Sequence, residues 1–290
     1  MTILVTGGSG FVGRFVVEAL LRRGRRVRVT GRTRPATSHF SGPVEFAEGS
    51  LDPHRDWGAD LEGVTHLVHA AFDHLPGRYR GGEGSDPASF RRRNLDGTVA
   101  LLEAAKRAGV GRVVFLSSRA VYGEQPAGAE LSEASEPHPD TLYGEVKLAA
   151  ERALTAMSGD GFRGTSLRVT GVYGPAAPGR RHKWADLFDD YLAGRTVESR
   201  RATEVHGDDV AVAVLLALDA PRPPPLLNVS DILLDRHDLL AIVQDKTGST
   251  HPLPPRSAAP VNAMNCTLLR ALGWRPGGTD LLERTVRALL

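Results

Sequence analysis

The 290-residue sequence predicts an α/β protein in which a parallel, doubly wound sheet carries a smaller C-terminal substrate lobe. Three observations predict it. An apolar run, Ile3, Leu4 and Val5, passes through TGGSGFVG at residues 6–13 into a segment where Phe11, Val12, Phe15, Val16, Ala19 and Leu20 recur at helical spacing. Short apolar runs then alternate with helix-period segments at crossover-length intervals, which implies parallel strands with helices on both faces, a Rossmann-type sheet. Beyond Pro175 the composition shifts to Ala, Pro and Gly followed by a basic run, and the length of the chain leaves room for a smaller lobe beside the sheet domain.

The totals bound the function. With 41% hydrophobic and 24% charged residues, the composition is that of an ordinary globular protein and can bury a full core. A net charge of +2 calls for neither nucleic acid nor an anionic membrane. Arg22, Arg23, Arg25, Arg26 and Arg28 cluster locally and read as a solvated helix end. The single cysteine, Cys266, cannot form an intrachain disulfide, so a reducing cytoplasm suits the chain. No signal peptide fits before the glycine turn, and the longest purely apolar run, 210–218, is too short for a transmembrane helix.

The first strand runs into a phosphate-binding turn. Gly7 permits the tight turn, Gly10 lets a pyrophosphate approach bare backbone, and Gly13 lets the helix pack against the strand. The helix N-terminus then offers free N–H donors, and Gly24 closes the helix. Residues 27–30 read as the second strand, followed by Gly31, Arg32, Thr33 and Arg34. NAD-binding folds commonly put an acidic residue at this strand end to hold the ribose hydroxyls. Glycine stands there instead, with two arginines able to take a 2'-phosphate, so NADP is favoured over NAD.

Residues 44–47 and 67–70 read as strands three and four, and Ser50 and Leu51 fall at the adenine edge. The loop over 72–89 is long and rich in glycine and charge, which makes His74, Arg78, Tyr79 and Arg80 candidate substrate contacts. A helix starting at 91–93 carries Asn94 and ends at Gly109, and 112–117 form the fifth strand. Ligands of such sheets bind beyond the carboxyl ends of the strands. Ser118 lies at one such end, and Tyr143 and Lys147 share one face of the following helix at a spacing of four. A cation fixed beside a phenol favours the phenolate, which equips Tyr143 for general acid–base work. Further on, 221–225 form a proline-rich connector, 226–229 a strand, 235–247 an amphipathic helix and 280–290 the last helix. No repeat of solenoid period is present.

At this point the chain resembles the extended short-chain dehydrogenase/reductase family of NAD-dependent epimerases and dehydratases. The resemblance rests on TGGSGFVG at 6–13, HAA at 69–71, NLDGT at 94–98, FLSSRAVYG at 115–123, YGEVK at 143–147, LRVTGVYGP at 167–175, HGDDVA at 206–211 and LGW at 272–274. It implies that Ser118, Tyr143 and Lys147 are the catalytic residues. It implies too that Gly7, Gly10, Phe11, Val12, Gly13, Leu51, Ala70, Ala71 and Asn94, with Tyr143 and Lys147, bind the cofactor, and the positions of Arg32 and Ser50 in this chain add those two residues. The implied reaction is hydride transfer between a substrate carbon and nicotinamide while Tyr143 moves the hydroxyl proton. The implied division is a dinucleotide domain over 1–172 and 203–229 and a substrate lobe over 173–202 and 230–290, with a homodimer as the assembly.

Departures from the family pattern narrow the reaction. Gly31 and Ser50 replace acidic residues on the adenosine side. Arg119 and Ala120 stand where the family's dehydratases carry an Asp-Glu pair, so dehydration is not expected, and Arg119 invites an anionic substrate. Arg180 and Arg181 open a basic run ending at Trp184 that could hold a diphosphate or a carboxylate. Arg201 is displaced by one place from the family's diphosphate-gripping arginine, which leaves a sugar acid open as substrate. His206, Asp208 and Asp209 resemble metal ligands, but in the family this element returns the chain to the sheet, and no metal is expected. The reading is an NAD(P)-dependent epimerase or dehydrogenase of a sugar or sugar nucleotide, with a small anionic substrate as one alternative and a non-catalytic dinucleotide sensor as the other.

Overall fold

The computed structural model describes residues 1–74, 82 and 84–290. Arg78, Tyr79 and Arg80, three of the expected substrate contacts, lie outside the described residues. In chain order the elements are β1 (Thr2–Thr6), α1 (Phe11–Arg22), β2 (Arg26–Gly31), β3 (Glu45–Glu48), α2 (Gly58–Leu61), β4 (Val64–His69), α3 (Pro87–Arg91), α4 (Gly97–Arg107), β5 (Arg112–Ser118) and α5 (Leu142–Met157). There follow β6 (Arg163–Val169), β7 (Gly171–Tyr173), α6 (Ala185–Leu192), β8 (Arg201–His206), α7 (Gly207–Asp219), β9 (Leu226–Val229), β10 (Ile232–Asp235), α8 (Arg236–Thr247), α9 (Thr267–Ala271) and α10 (Gly278–Leu289).

Seven strands form one parallel sheet in the order β3-β2-β1-β4-β5-β6-β9. Strand order reverses between β1 and β4, so the loops leaving these two strands part and open a crevice. One face of the sheet is covered by α1 and α7, whose Phe15, Val16, Val17, Val210 and Val214 share a core with Ile3, Val5 and Trp274. The other is covered by α4 and α5 through Leu101, Leu102, Ala105, Ala150 and Leu154. The apolar run at 210–218 is therefore a core helix. No helix among the described residues is long and apolar enough to cross a membrane.

A second sheet, β10-β8-β7, pairs β8 antiparallel to β10 and parallel to β7. Tyr173, Trp184, Phe188, Tyr191, Leu239, Leu240 and Val286 pack a separate core beside it. Strands β7, β8 and β10 and helix α6 were not legible in the apolar pattern. They are short, and alternation over three to six residues leaves little signal.

The sequence reading of one helix from 91 to 109 needs correction. Helix α3 begins at Pro87, where Asp86 caps it by accepting from Ser89 N at 2.9 Å. A π-helical turn over Arg92–Asp96 follows, then α4. The N-terminal signal, Asp-Pro, lay inside what read as loop. The arginine cluster is engaged in ion pairs: Arg28 with Glu45 at 2.7 Å, Arg25 with Asp219 at 3.2 Å and Arg22 with Asp208 at 3.4 Å. Arg28 also donates to the carbonyls of Asp60 and Glu62 at the C-terminus of α2, where a cation is favoured.

Candidate active site

The glycine turn is shaped by steric necessity. Gly7 adopts φ +67°, and a Cβ there would lie 2.7 Å from the Ala71 backbone at the end of β4. A Cβ on Gly13 would lie 2.2 Å from the carbonyl oxygen of Gly7. Gly10 is different: a Cβ there would meet only the Gly7 carbonyl, at 3.1 Å, and the residue is exposed at the start of α1. Two glycines thus serve packing of the turn, while the third keeps bare backbone facing the crevice. These residues fit a dinucleotide pyrophosphate at a helix N-terminus.

The proton-transfer side is built where β5 and α5 meet. Ser118 ends β5, half-buried, and its Oγ accepts from Ala120 N at 3.2 Å, capping the short 3₁₀ turn Arg119–Val121. Thr141 caps α5 by accepting from Gly144 N at 3.1 Å. Gly144 allows the helix to close on that turn, since a Cβ would lie 2.5 Å from the Ala120 carbonyl oxygen. Tyr143, the neighbour of this contact, is thereby brought beside the end of β5. One turn on, Lys147 is buried, and its Nζ donates to Leu116 O at 2.7 Å, two residues before Ser118.

Aromatic rings surround the ammonium. Lys147 Nζ lies 4.3 Å from the Phe72 ring centroid, 4.8 Å from Phe115 and 5.9 Å from Tyr143. Phe72 meets Tyr143 edge-to-face at 5.0 Å. Burial pulls the Lys147 pKa down to about 7, and the Glu151 charge opposes that fall. Phe72 carried no signal in the sequence beyond following HAA. Glu151 had one, a carboxylate on the buried face of α5.

A buried string of hydrogen bonds ties the two walls of the crevice. Thr98 Oγ1 donates to Asn94 O at 2.6 Å, so it accepts from His69 Nε2 at 2.9 Å. The ring is neutral, because burial pulls the His69 pKa to about 3. Its Nδ1 is therefore the acceptor and takes the Thr6 hydroxyl at 2.6 Å. Asn94 spends both amide hydrogens on Asp73 O and Phe90 O, and its Oδ1 accepts from Asp73 N. Asn94 is thus a strut behind the crevice that holds the chain at 73.

The other expected residues are spread. Ala70 and Ala71 abut Gly7, and Phe11 and Val12 open α1 behind it. Leu51 is buried against Gly97, and Ser50 is exposed beside it. Arg32 is exposed and pairs with Asp73 at 3.1 Å, joining the end of β2 to the end of β4 across β1. His74 is half-buried and stands 6.0 Å from the Phe72 ring, close to the trio. Arg119 donates to Asn262 O at 2.9 Å, which binds the 3₁₀ turn to the C-terminal segment. Arg181 pairs with Asp186 at 2.8 Å and Asp189 at 2.5 Å, so it braces α6, and Arg180 is exposed beside it. His206 caps α7 by accepting from Asp208 N at 3.1 Å. Among the described residues no three His, Cys, Asp or Glu side chains gather as a metal site.

The sequence profile described as the NAD dependent epimerase/dehydratase family matches residues 3–230. A 3 beta-hydroxysteroid dehydrogenase/Delta 5-->4-isomerase of Mycobacterium tuberculosis is 34% identical over 200 residues, 66% of this chain and 52% of that protein. The chain therefore spans about half the length of that relative. A UDP-glucose 4-epimerase of Streptomyces lividans is 30% identical over 96% of this chain and 92% of its own. The solved structure of MoeE5 in complex with UDP-glucuronic acid and NAD is 28% identical, with a TM-score of 0.81 over 100% of this chain and 98% of that one. The glycine turn, the strand order and the extent of the match have one conclusion: the chain belongs to the NAD-dependent epimerase/dehydratase family of extended short-chain dehydrogenases/reductases.

Proposed function

We propose that this chain is an NAD(P)-dependent enzyme that moves a hydride at a secondary alcohol or ketone of a sugar or sugar nucleotide, as an epimerase or a net dehydrogenase. The observation that carries this reading is the junction of β5 and α5, where the buried Lys147 donates to the Leu116 carbonyl two residues before Ser118 and lies 5.9 Å from the Tyr143 ring. The bound nicotinamide would supply or accept the hydride. Tyr143 exchanges the proton of the substrate hydroxyl, Ser118 hydrogen-bonds the same oxygen and orients it, and the Lys147 ammonium favours the phenolate form of Tyr143. Phe72 excludes water from the Lys147 and Tyr143 side chains. Relatives act on sugar nucleotides and steroids by their names, and the sugar reading draws on the UDP-glucose epimerase, which matches along nearly the full chain.

A small anionic substrate is the second reading, favoured by Arg119 directly after Ser118. His74, Arg180 and Arg181 stay in the substrate proposal on position, in a lobe formed by 173–202 and 230–290. For the cofactor we infer a preference for NADP. Gly31 leaves no carboxylate at the end of β2, and Arg34, 5.0 Å over the Phe46 ring, and Arg32 flank that position. We infer also a homodimer.

The test is Tyr143→Phe, assayed against a panel of nucleotide sugars, sugar acids and 3-hydroxysteroids, with NADP and NAD binding titrated in the same variant. Turnover is expected to fall by about three orders of magnitude with dinucleotide affinity retained. Undiminished turnover would refute the assignment, and tighter binding of NAD would refute the cofactor preference. Tight dinucleotide binding by the unaltered chain with no turnover on the whole panel would move the non-catalytic sensor ahead.

A further inference from the structure

Behind the catalytic helix lies a buried group of polar side chains that the reaction scheme does not use. Glu151 stands one turn beyond Lys147 on α5, as Lys147 stands one turn beyond Tyr143. Its carboxylate accepts from Ser117 Oγ on β5 and from Arg168 on β6, with Nε at 3.1 and 3.2 Å and Nη2 at 2.8 Å. Ser117 and Arg168 are register partners, side by side on the sheet face that α5 covers. The side chains of Arg168 and Glu151 are only 4% and 6% exposed. Arg168 lies 4.6 Å over the Tyr122 ring, whose hydroxyl donates to Asn228 Oδ1 at 2.6 Å. Consecutive residues of β5 thus hold consecutive turns of α5: Leu116 O holds Lys147 and Ser117 holds Glu151, with Ser118 next at the strand end.

A buried ion pair is a poor way to gain stability, because desolvation of two charges consumes most of their attraction. Its position one turn from a buried lysine gives it another use. We propose that Glu151 and Arg168 are positioning residues for Lys147: Glu151 supplies the negative charge that keeps Lys147 an ammonium in its buried place, and Arg168 supplies the counter-charge that lets that carboxylate be buried.

The proposal deepens the reading given above, since it rests on Lys147 working as a cation beside Tyr143. The charged and titratable groups around Lys147 are Tyr143 and Glu151 on its own helix, His69 on β4 and, beyond Glu151, Arg168 on β6. His69 is neutral, and the rings of Phe72 and Phe115 add no net charge. Glu151 is the group that raises the Lys147 pKa against burial. Without it the midpoint, already drawn down to about 7, would fall further and less of the ammonium would survive at neutral pH.

The chain has four lysines, Lys106, Lys147, Lys183 and Lys246, so ¹³C-ε-lysine labelling gives a spectrum in which Lys147 is assigned by its loss in Lys147→Met. In Glu151→Gln the titration midpoint of Lys147 is expected to fall by about one pH unit or more. Should the unpaired Arg168 prevent folding there, Glu151→Gln/Arg168→Met removes both charges together, and a fall in the same direction is expected, smaller because the Arg168 cation is gone as well. Arg168→Lys keeps a cation on Glu151 and leaves the midpoint in place. A Lys147 midpoint unchanged in a folded Glu151 variant would overturn the proposal. A fall in Arg168→Lys as large as in Glu151→Gln would overturn the counter-charge role. The titration needs neither substrate nor turnover, so its outcome is separate from that of Tyr143→Phe.

Discussion

At the scale of single residues, the glycine turn separates function from folding. Gly10 and Gly13 belong to one motif, but their surroundings differ. A Cβ at Gly10 meets one carbonyl at 3.1 Å, whereas at Gly13 it would sit 2.2 Å from backbone oxygen that cannot yield. Gly10→Ala is therefore expected to change unfolding free energy by about 1 kcal/mol or less and to weaken dinucleotide binding at least tenfold. Gly13→Ala is expected to cost ~2 kcal/mol or more in denaturant melts. Equal losses of stability would contradict the division. Spacing and order proposed the trio Ser118, Tyr143 and Lys147 from the sequence alone. Phe72 was not, since what makes it matter is a 4.3 Å approach to Lys147 from a distant strand end.

At the scale of elements, α5 is placed by its N-terminus. Thr141 caps it, and Gly144 lets its first turn touch the Ala120 carbonyl, so the height of Tyr143 over β5 is set by a contact of small atoms. Gly144→Ala would push the first turn outward by part of an ångström. Turnover is expected to fall tenfold or more with NADP and NAD binding nearly unchanged, because the phenol moves while the glycine turn does not. An unaltered rate would sink this account of placement. Most long elements could be read from apolar periodicity, as in α1, α5 and α8. The break of 87–107 into α3, a π turn and α4 could not, because its cause is tertiary: Asn94 is drawn inward to bond Asp73.

At the scale of the molecule, the second lobe returns to the sheet through α7 and Trp274. Trp274 Nε1 donates to Asp209 O at 2.9 Å, and Gly277 N donates to the Asp209 carboxylate at 3.1 Å. Burial pushes the Asp209 pKa up to about 6, with Asp231 and Asp208 adding to it. The unfolded chain holds this carboxyl near about 4, so between those values the folded state binds more protons and loses stability as pH rises. Above pH 6 the full cost remains. Asp209→Asn keeps an acceptor for Gly277, and it is expected to raise stability by ~1 kcal/mol at pH 8 and to make little difference at pH 4, read from melts at both values. The doubly wound sheet was plain from the alternation of strands and helices. The small sheet was not, because β7 and β10 become strands only by pairing with β8.

The string from Thr6 through His69 and Thr98 to Asn94 has a direction. Each hydroxyl owns one hydrogen, and once Thr98 gives its hydrogen to Asn94, every donor and acceptor back to Thr6 is assigned. The two walls of the crevice are thus registered to each other by protons. A change at Thr98 would be felt at the glycine turn through these hydrogens.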